Sequence, residues 1–286
     1  MTQPELCQQS YSLRHPTNSG RIIRVRCTRM AGAAGPLPSV VVVHGFKGFL
    51  RWGFFPELQD RLARAGFMSV ALNLSGGGVG EDLENFTEDQ AFFDSTPSRD
   101  VEDLQSVLEA LQKSAIPGAD LDQLAVLGHS RGGGSALLHA ERSAAYRAVV
   151  TWASVAHSNG FDQATLAGWR AAGVLEVRNA RIGKLHRMGL SWLEDVEQNA
   201  ADLDILAACS RSKTRTLLLH GDADMAVPAS DMTAIQDAFG PKIARSISIP
   251  GAGHTFGAVH PWRGSTPQLE QAFEVSLSFL AEQLQV

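Results

Sequence analysis

The residues with the clearest chemistry in this sequence are Gly128-His129-Ser130-Arg131-Gly132. A serine flanked by glycines at this spacing fits GxSxG. It follows the apolar run Leu124 to Leu127 and precedes a helical pattern over Gly132 to Arg142. A strand-to-helix turn tight enough to expose the hydroxyl leaves no room for side chains on either flank. The helix N-terminus adds a positive dipole where negative charge would develop.

A serine hydroxyl is a weak nucleophile until a base takes its proton. Of nine histidines, His254 lies in Pro250-Gly251-Ala252-Gly253-His254-Thr255, directly after a predicted strand ending at Ile249. It is the expected base, with His260 in reserve. The imidazole needs a carboxylate to hold its tautomer. His220-Gly221-Asp222-Ala223-Asp224 follows the apolar run Thr216 to Leu219 and offers two, of which Asp224, deeper in the loop, is better placed to reach across. A tetrahedral intermediate also needs preorganised N–H donors. The expected pair is the backbone N–H of Arg131 and that of Phe46, in the loop His44-Gly45-Phe46-Lys47-Gly48. Trp52, Trp169, Met188 and Trp192 are candidates for a substrate pocket.

These groups must be held by elements that end near one another. Val40 to Val43 is β-branched without alternation, as in a strand buried on both faces. Short apolar runs of this kind recur at Phe67 to Leu74, Leu124 to Leu127, Ala148 to Ala153, Thr216 to Leu219 and Ile243 to Ile249. Helical patterns stand between or after them at Phe54 to Ala65, Asp100 to Lys113, Gly132 to Arg142 and Leu269 to Leu284. Such alternation predicts an α/β fold, a mostly parallel central sheet with helices on both faces. Gln9 to Arg14 and Ile22 to Thr28, split by Asn18-Ser19-Gly20, predict an antiparallel hairpin opening the sheet. Ligands of such sheets bind beyond the carboxyl ends of the strands, and each candidate above lies just after an apolar run.

Two segments break the alternation. Gly76 to Asp94 is glycine-rich and then acidic, without Lys or Arg, and reads as a solvated excursion or a wall of the site. Residues 157–206 read as a cap inserted into a single domain spanning 1–286, with Leu175-Glu176-Val177 and Lys184-Leu185-His186 paired around Arg181-Ile182-Gly183. Cap and acidic stretch together favour a neutral or aromatic ester over an anionic one.

Composition excludes several classes. A net charge of −5 gives no reason to expect nucleic acid. Cys7, Cys27 and Cys209 form neither a disulfide framework nor a CxxC, as in a cytoplasmic protein. The polar N-terminus and the lack of a long apolar run point to no secretion and no membrane. No metal or organic cofactor is implied, and Gly76-Gly77-Gly78-Val79-Gly80 lacks the GxGxxG order of a dinucleotide loop. No feature specifies an oligomeric state.

His44-Gly45-Phe46, Gly128 to Gly133, His220 to Pro228 and Gly253-His254, in this order, resemble the α/β-hydrolase superfamily, most of all its dienelactone-hydrolase-like and acyl-peptidase-like serine esterases. The resemblance runs from about Ile22 to Leu284. It implies a Ser-Asp-His triad and hydrolysis of a small-molecule carboxylic ester through an acyl-enzyme. Ser130 departs from the cysteine of dienelactone hydrolases proper. A peptidase or amidase, or a thioesterase, would use the same triad. A non-catalytic binding protein would be expected to lack one of its members.

Overall fold

The computed structural model describes residues 5–15, 18–179, 183–241 and 243–286. The chain opens on an antiparallel pair, β1 (Leu6–His15) and β2 (Asn18–Met30), as the hairpin pattern predicts. Then follow β3 (Leu37–Val43), α1 (Phe55–Arg64), β4 (Met68–Asn73), α2 (Asp89–Phe93), α3 (Pro97–Gln112), β5 (Ala119–His129), α4 (Arg131–Ser143) and β6 (Ala148–Trp152). Next come α5 (Gln163–Ala172), β7 (Val174–Asn179), β8 (Lys184–Gly189), α6 (Ser191–Gln198) and α7 (Ile205–Arg211). The chain closes with β9 (Arg215–Gly221), α8 (Ala229–Phe239), β10 (Ala244–Ile249) and α9 (Pro267–Leu284).

Eight strands form one sheet in the order β1-β2-β4-β3-β5-β6-β9-β10. From β4 to β10 every neighbouring pair is parallel; only β1 and β2 run against their neighbours. The unalternated valines of β3 are explained by two apolar layers. Val41 and Val43 face one core with α3, α4 and α8, while Val40 and Val42 face the other with α1 and α9. In β5, Leu124 and Val126 take the first side, Ala125 and Leu127 the second. Each strand residue thus leaves water whichever way it points.

Helix starts are written locally. Thr96 and Thr266 each accept the N–H three residues on and are followed by proline at the first helical position. Because the six parallel strands share one direction, the loops after β3, β4, β5, β9 and β10 emerge at one edge of the sheet.

Over that edge lies the segment between β6 and β9. Its β7–β8 hairpin is antiparallel, with Leu175 opposite Met188 and Val177 opposite His186; the expected tip residues Arg181 and Ile182 lie outside the described residues. Helices α5 and α6 flank the hairpin, and Leu166, Trp169, Met188, Trp192 and Leu193 make a small core with Phe92 of α2. Among the described residues no helix is long and apolar enough to cross a membrane.

Candidate active site

Ser130 occupies the turn from β5 into α4 with φ 55° and ψ −124°, a conformation rare outside glycine. Such a backbone costs about 1–3 kcal/mol and persists only where its surroundings hold it. Here the Ser130 N–H donates to Trp152 O at 2.8 Å, and its carbonyl accepts from Gly133 N at 2.9 Å. The flanks are bare for steric cause. A Cβ on Gly128 would lie 2.2 Å from Gly132 O, and one on Gly132 would lie 2.4 Å from His44 O.

His254 Nδ1–H donates to Asp224 Oδ2 at 2.8 Å, across the gap between the loops after β10 and β9. With Nδ1 so committed, Nε2 is the nitrogen left with a lone pair. The Asp224 carboxylate is fully out of water. Its Oδ1 accepts Ala226 N at 2.8 Å and Val227 N at 3.0 Å. Burial favours the neutral acid, but bonds from His220, His254 and these two amides outweigh it and hold Asp224 far below the usual carboxylate range. Asp222 does something else: its Oδ1 accepts Gly251 N at 2.7 Å, tying the two loops together. His260 is not at the site. It accepts from Gly53 N at 3.1 Å and packs against Phe49 and Trp52.

Two histidines that stand inside the sequence motifs without an expected role support this arrangement. Buried His220 places Nε2 3.0 Å from Val227 O and 3.3 Å from Asp224 Oδ2. His129, beside the serine, donates from Nε2 to the His254 carbonyl at 2.9 Å and so anchors the backbone that carries the imidazole.

The loop after β3 turns at Gly45–Gly48, closed by a 3.0 Å bond from Gly48 N to Gly45 O with Lys47 at φ 57°. A Cβ on Gly45 would sit 2.8 Å from Ser130 Cβ, so this loop can lie against the serine only because residue 45 is glycine. Phe46 follows at once. His44, wholly buried, donates from Nδ1 to Gly45 O and accepts Leu74 N–H at Nε2, and burial pushes its pKa down to about 4. Arg131 is the first residue of α4, where N–H groups lack partners within the helix. Its side chain turns to the buried Asp100 and lies 4.1 Å from the Trp192 ring centroid.

Ser130 and His254 both line a cavity of about 430 Å³, together with Phe46, Arg131, Met188 and Trp192. Two expected pocket residues are elsewhere. Trp52 packs beneath, edge-on to Phe54 and beside His260. Trp169 faces inward from α5 onto Phe161 at 5.4 Å, filling the cap. A large indole on an amphipathic face goes to core unless a cavity lies on that side. The acidic stretch is both excursion and wall: Phe92 stacks on Phe46 at 5.7 Å under the cap, whereas Glu84, Glu88 and Asp89 pair with Arg51, Arg24 and Lys184.

Residues 52–285 match the prolyl oligopeptidase family. The chain belongs to that family. No match emerges among curated proteins. Among solved structures, this prolyl oligopeptidase family member is similar to Est1E from Butyrivibrio proteoclasticus, with 16% identity and a TM-score of 0.70 over 97% of this chain and 99% of that one. The esterase domain of a Rhodothermus marinus protein gives 16% identity and 0.66 over 96% and 98%. A puromycin-hydrolyzing peptidase of Mycobacterium tuberculosis gives 20% and 0.68 over 97% of this chain but 39% of its own length. At such identities the likeness is one of fold. With the family match, it makes the protein a serine hydrolase of the α/β-hydrolase type.

Proposed function

We propose that the protein is a carboxylic ester hydrolase in which Ser130 is the nucleophile, His254 the general base and Asp224 the acid that orients it. The observation that carries this reading is the convergence on one cavity of a serine at φ 55° and a histidine bonded to a buried carboxylate at 2.8 Å. His254 Nε2 takes the Ser130 proton as Oγ attacks the ester carbonyl. The N–H groups of Phe46 and Arg131 receive the oxyanion. The imidazolium, stabilised by Asp224, then gives its proton to the departing alkoxide as the carbonyl–oxygen bond breaks. Water, deprotonated by the same histidine, hydrolyses the acyl-enzyme and restores Ser130.

Family membership favours a second reading, a peptidase using the same groups. The ester reading draws support from the lining of the cavity, whose described residues include Lys47, Arg131 and Arg178 but no Asp or Glu. Such a lining offers no counter-charge to the α-ammonium of a peptide. The deciding experiment compares kcat/KM for p-nitrophenyl butyrate and for alanine p-nitroanilide, in wild type and Ser130→Ala. Ester turnover lost in the variant, with the anilide far slower, is the expected result. Faster cleavage of the anilide would transfer the assignment to a peptidase.

A further inference from the structure

We propose that the ester this site turns over carries an unbranched alkyl chain of about six to eight carbons, laid along the face of α4 that begins beside Ser130. The inference rests on the ester-hydrolase reading and names the substrate class of that site.

Arg131, Gly134, Ser135 and Leu138 all line the cavity. Residues three, four and seven apart share one face of a helix. The cavity therefore does not end at the nucleophile but follows α4 for about two turns beyond it. Seven residues at about 1.5 Å each cover about 10 Å. Leu138 leans back toward the helix N-terminus, which shortens the run by part of a turn. An extended chain advances about 1.2 Å per bond, so about six to eight carbons fill it.

The walls of this run suit hydrocarbon. Facing α4 stand Val155, in the loop after β6, and Ile205, the first residue of α7. Val155 is at the near end, where its N–H donates to Ser130 O at 3.4 Å. The hydroxyls that line the cavity here are already committed. Ser135 Oγ donates to Arg131 O at 3.2 Å, and Ser158 Oγ donates to Leu203 O at 2.8 Å. The Arg131 guanidinium is held by Asp100 and the Trp192 ring.

Gly134 sets the bore. Gly128 and Gly132 are bare because backbone lies against them, but a Cβ on Gly134 would meet side-chain ends, Ile205 Cδ1 at 2.8 Å and Val155 Cγ2 at 3.0 Å. Both of those side chains line the cavity, so a methyl group here would push them across the run. A space in which α4 and the facing wall already touch is better filled by a flexible chain than by a ring.

The test is a kcat/KM profile below the concentration at which the esters aggregate. One arm varies the acyl part, p-nitrophenyl acetate to dodecanoate with the 3-phenylpropanoate for comparison; the other varies the alcohol, ethyl to octyl butyrate. One arm should rise about two- to fourfold per methylene and level off near six to eight carbons, and that arm identifies which part of the ester enters the run. Gly134→Ala should lower the octyl-to-ethyl or octanoate-to-acetate ratio about fivefold or more, and Leu138→Ala should move the plateau about two carbons longer. A ratio measured on one sample cancels the amount of folded enzyme. Gly134→Ala displaces only side-chain ends, so it reports even where Leu138→Ala misfolds. Turnover with both arms flat or falling, a 3-phenylpropanoate faster than the octanoate, or a profile indifferent to Gly134→Ala overturns the alkyl-chain proposal alone. Absence of turnover on every ester overturns the ester-hydrolase reading and this one with it.

Discussion

Four donors converge on the carboxylate of Asp224, two from histidines and two from backbone amides, and that convergence separates it from Asp222 two residues away. A carboxylate so held stays ionised and fixes the imidazole tautomer, so Asp224→Asn should lower kcat about 10³–10⁴-fold. Asp222→Ala should lose the bond to Gly251 N and about 1 kcal/mol of stability, with a far smaller effect on kcat. Ester kinetics and urea unfolding of both variants check this; equal losses of kcat would place the orienting acid wrongly. The choice between the two is open in the sequence because each stands in the loop after β9. What separates them is how that loop folds back so that Oδ1 takes the Ala226 and Val227 amides, a local turn that a list of residue types does not reveal.

Elements carry the site through close approach. The β5–α4 turn admits no Cβ at Gly128, where the nearest backbone atom would be 2.2 Å away. Gly128→Ala should therefore cost about 3 kcal/mol or leave the protein insoluble. A methyl group added at Gly168, inside α5, would meet nothing within 4 Å. Gly168→Ala should raise stability by about 0.5–1 kcal/mol through helix propensity. Urea midpoints of the two variants should move in opposite directions, and a shift of the same sign in both would contradict the packing described. Strands are the most legible elements, since burial on both faces leaves uninterrupted apolar runs. The cap helices are not legible in the same way, although α5 and α7 have written start signals: Asp162 and Asp204 each accept the N–H three residues on, and α5 closes at Gly173 with φ 71°. The apolar stripe of α5 is weak because it buries one side against a small cap core, whereas α7 is only two turns long and packs against α4 and α8 in the main core. Trp52 and Trp169 fall outside the expected pocket for a related reason: spacing says that an indole is buried, not which cavity or core receives it.

For the molecule as a whole, two buried histidines link folding to pH. Burial pushes His44 and His139 down to about 4, below the roughly 6.5 of an exposed imidazole. Between those values the unfolded chain binds a proton at each position and the folded chain does not, so each contributes a loss of stability as pH falls through that window. His139 lies away from the cavity, bonded to Gln105 Oε1 and the Tyr146 hydroxyl. His139→Gln should flatten the fall of stability between about pH 6 and 4.5 by up to about one proton, read from urea unfolding at each pH. An unchanged slope would contradict the neutral, buried state of this histidine.

Everything above turns on an activated serine presented by the turn after β5. The most direct measurement is reaction with a fluorophosphonate followed by peptide mass mapping. One label per chain is expected, on Ser130, absent in Ser130→Ala and slowed in Asp224→Asn. A label on another residue, or none on a folded sample, would contradict it.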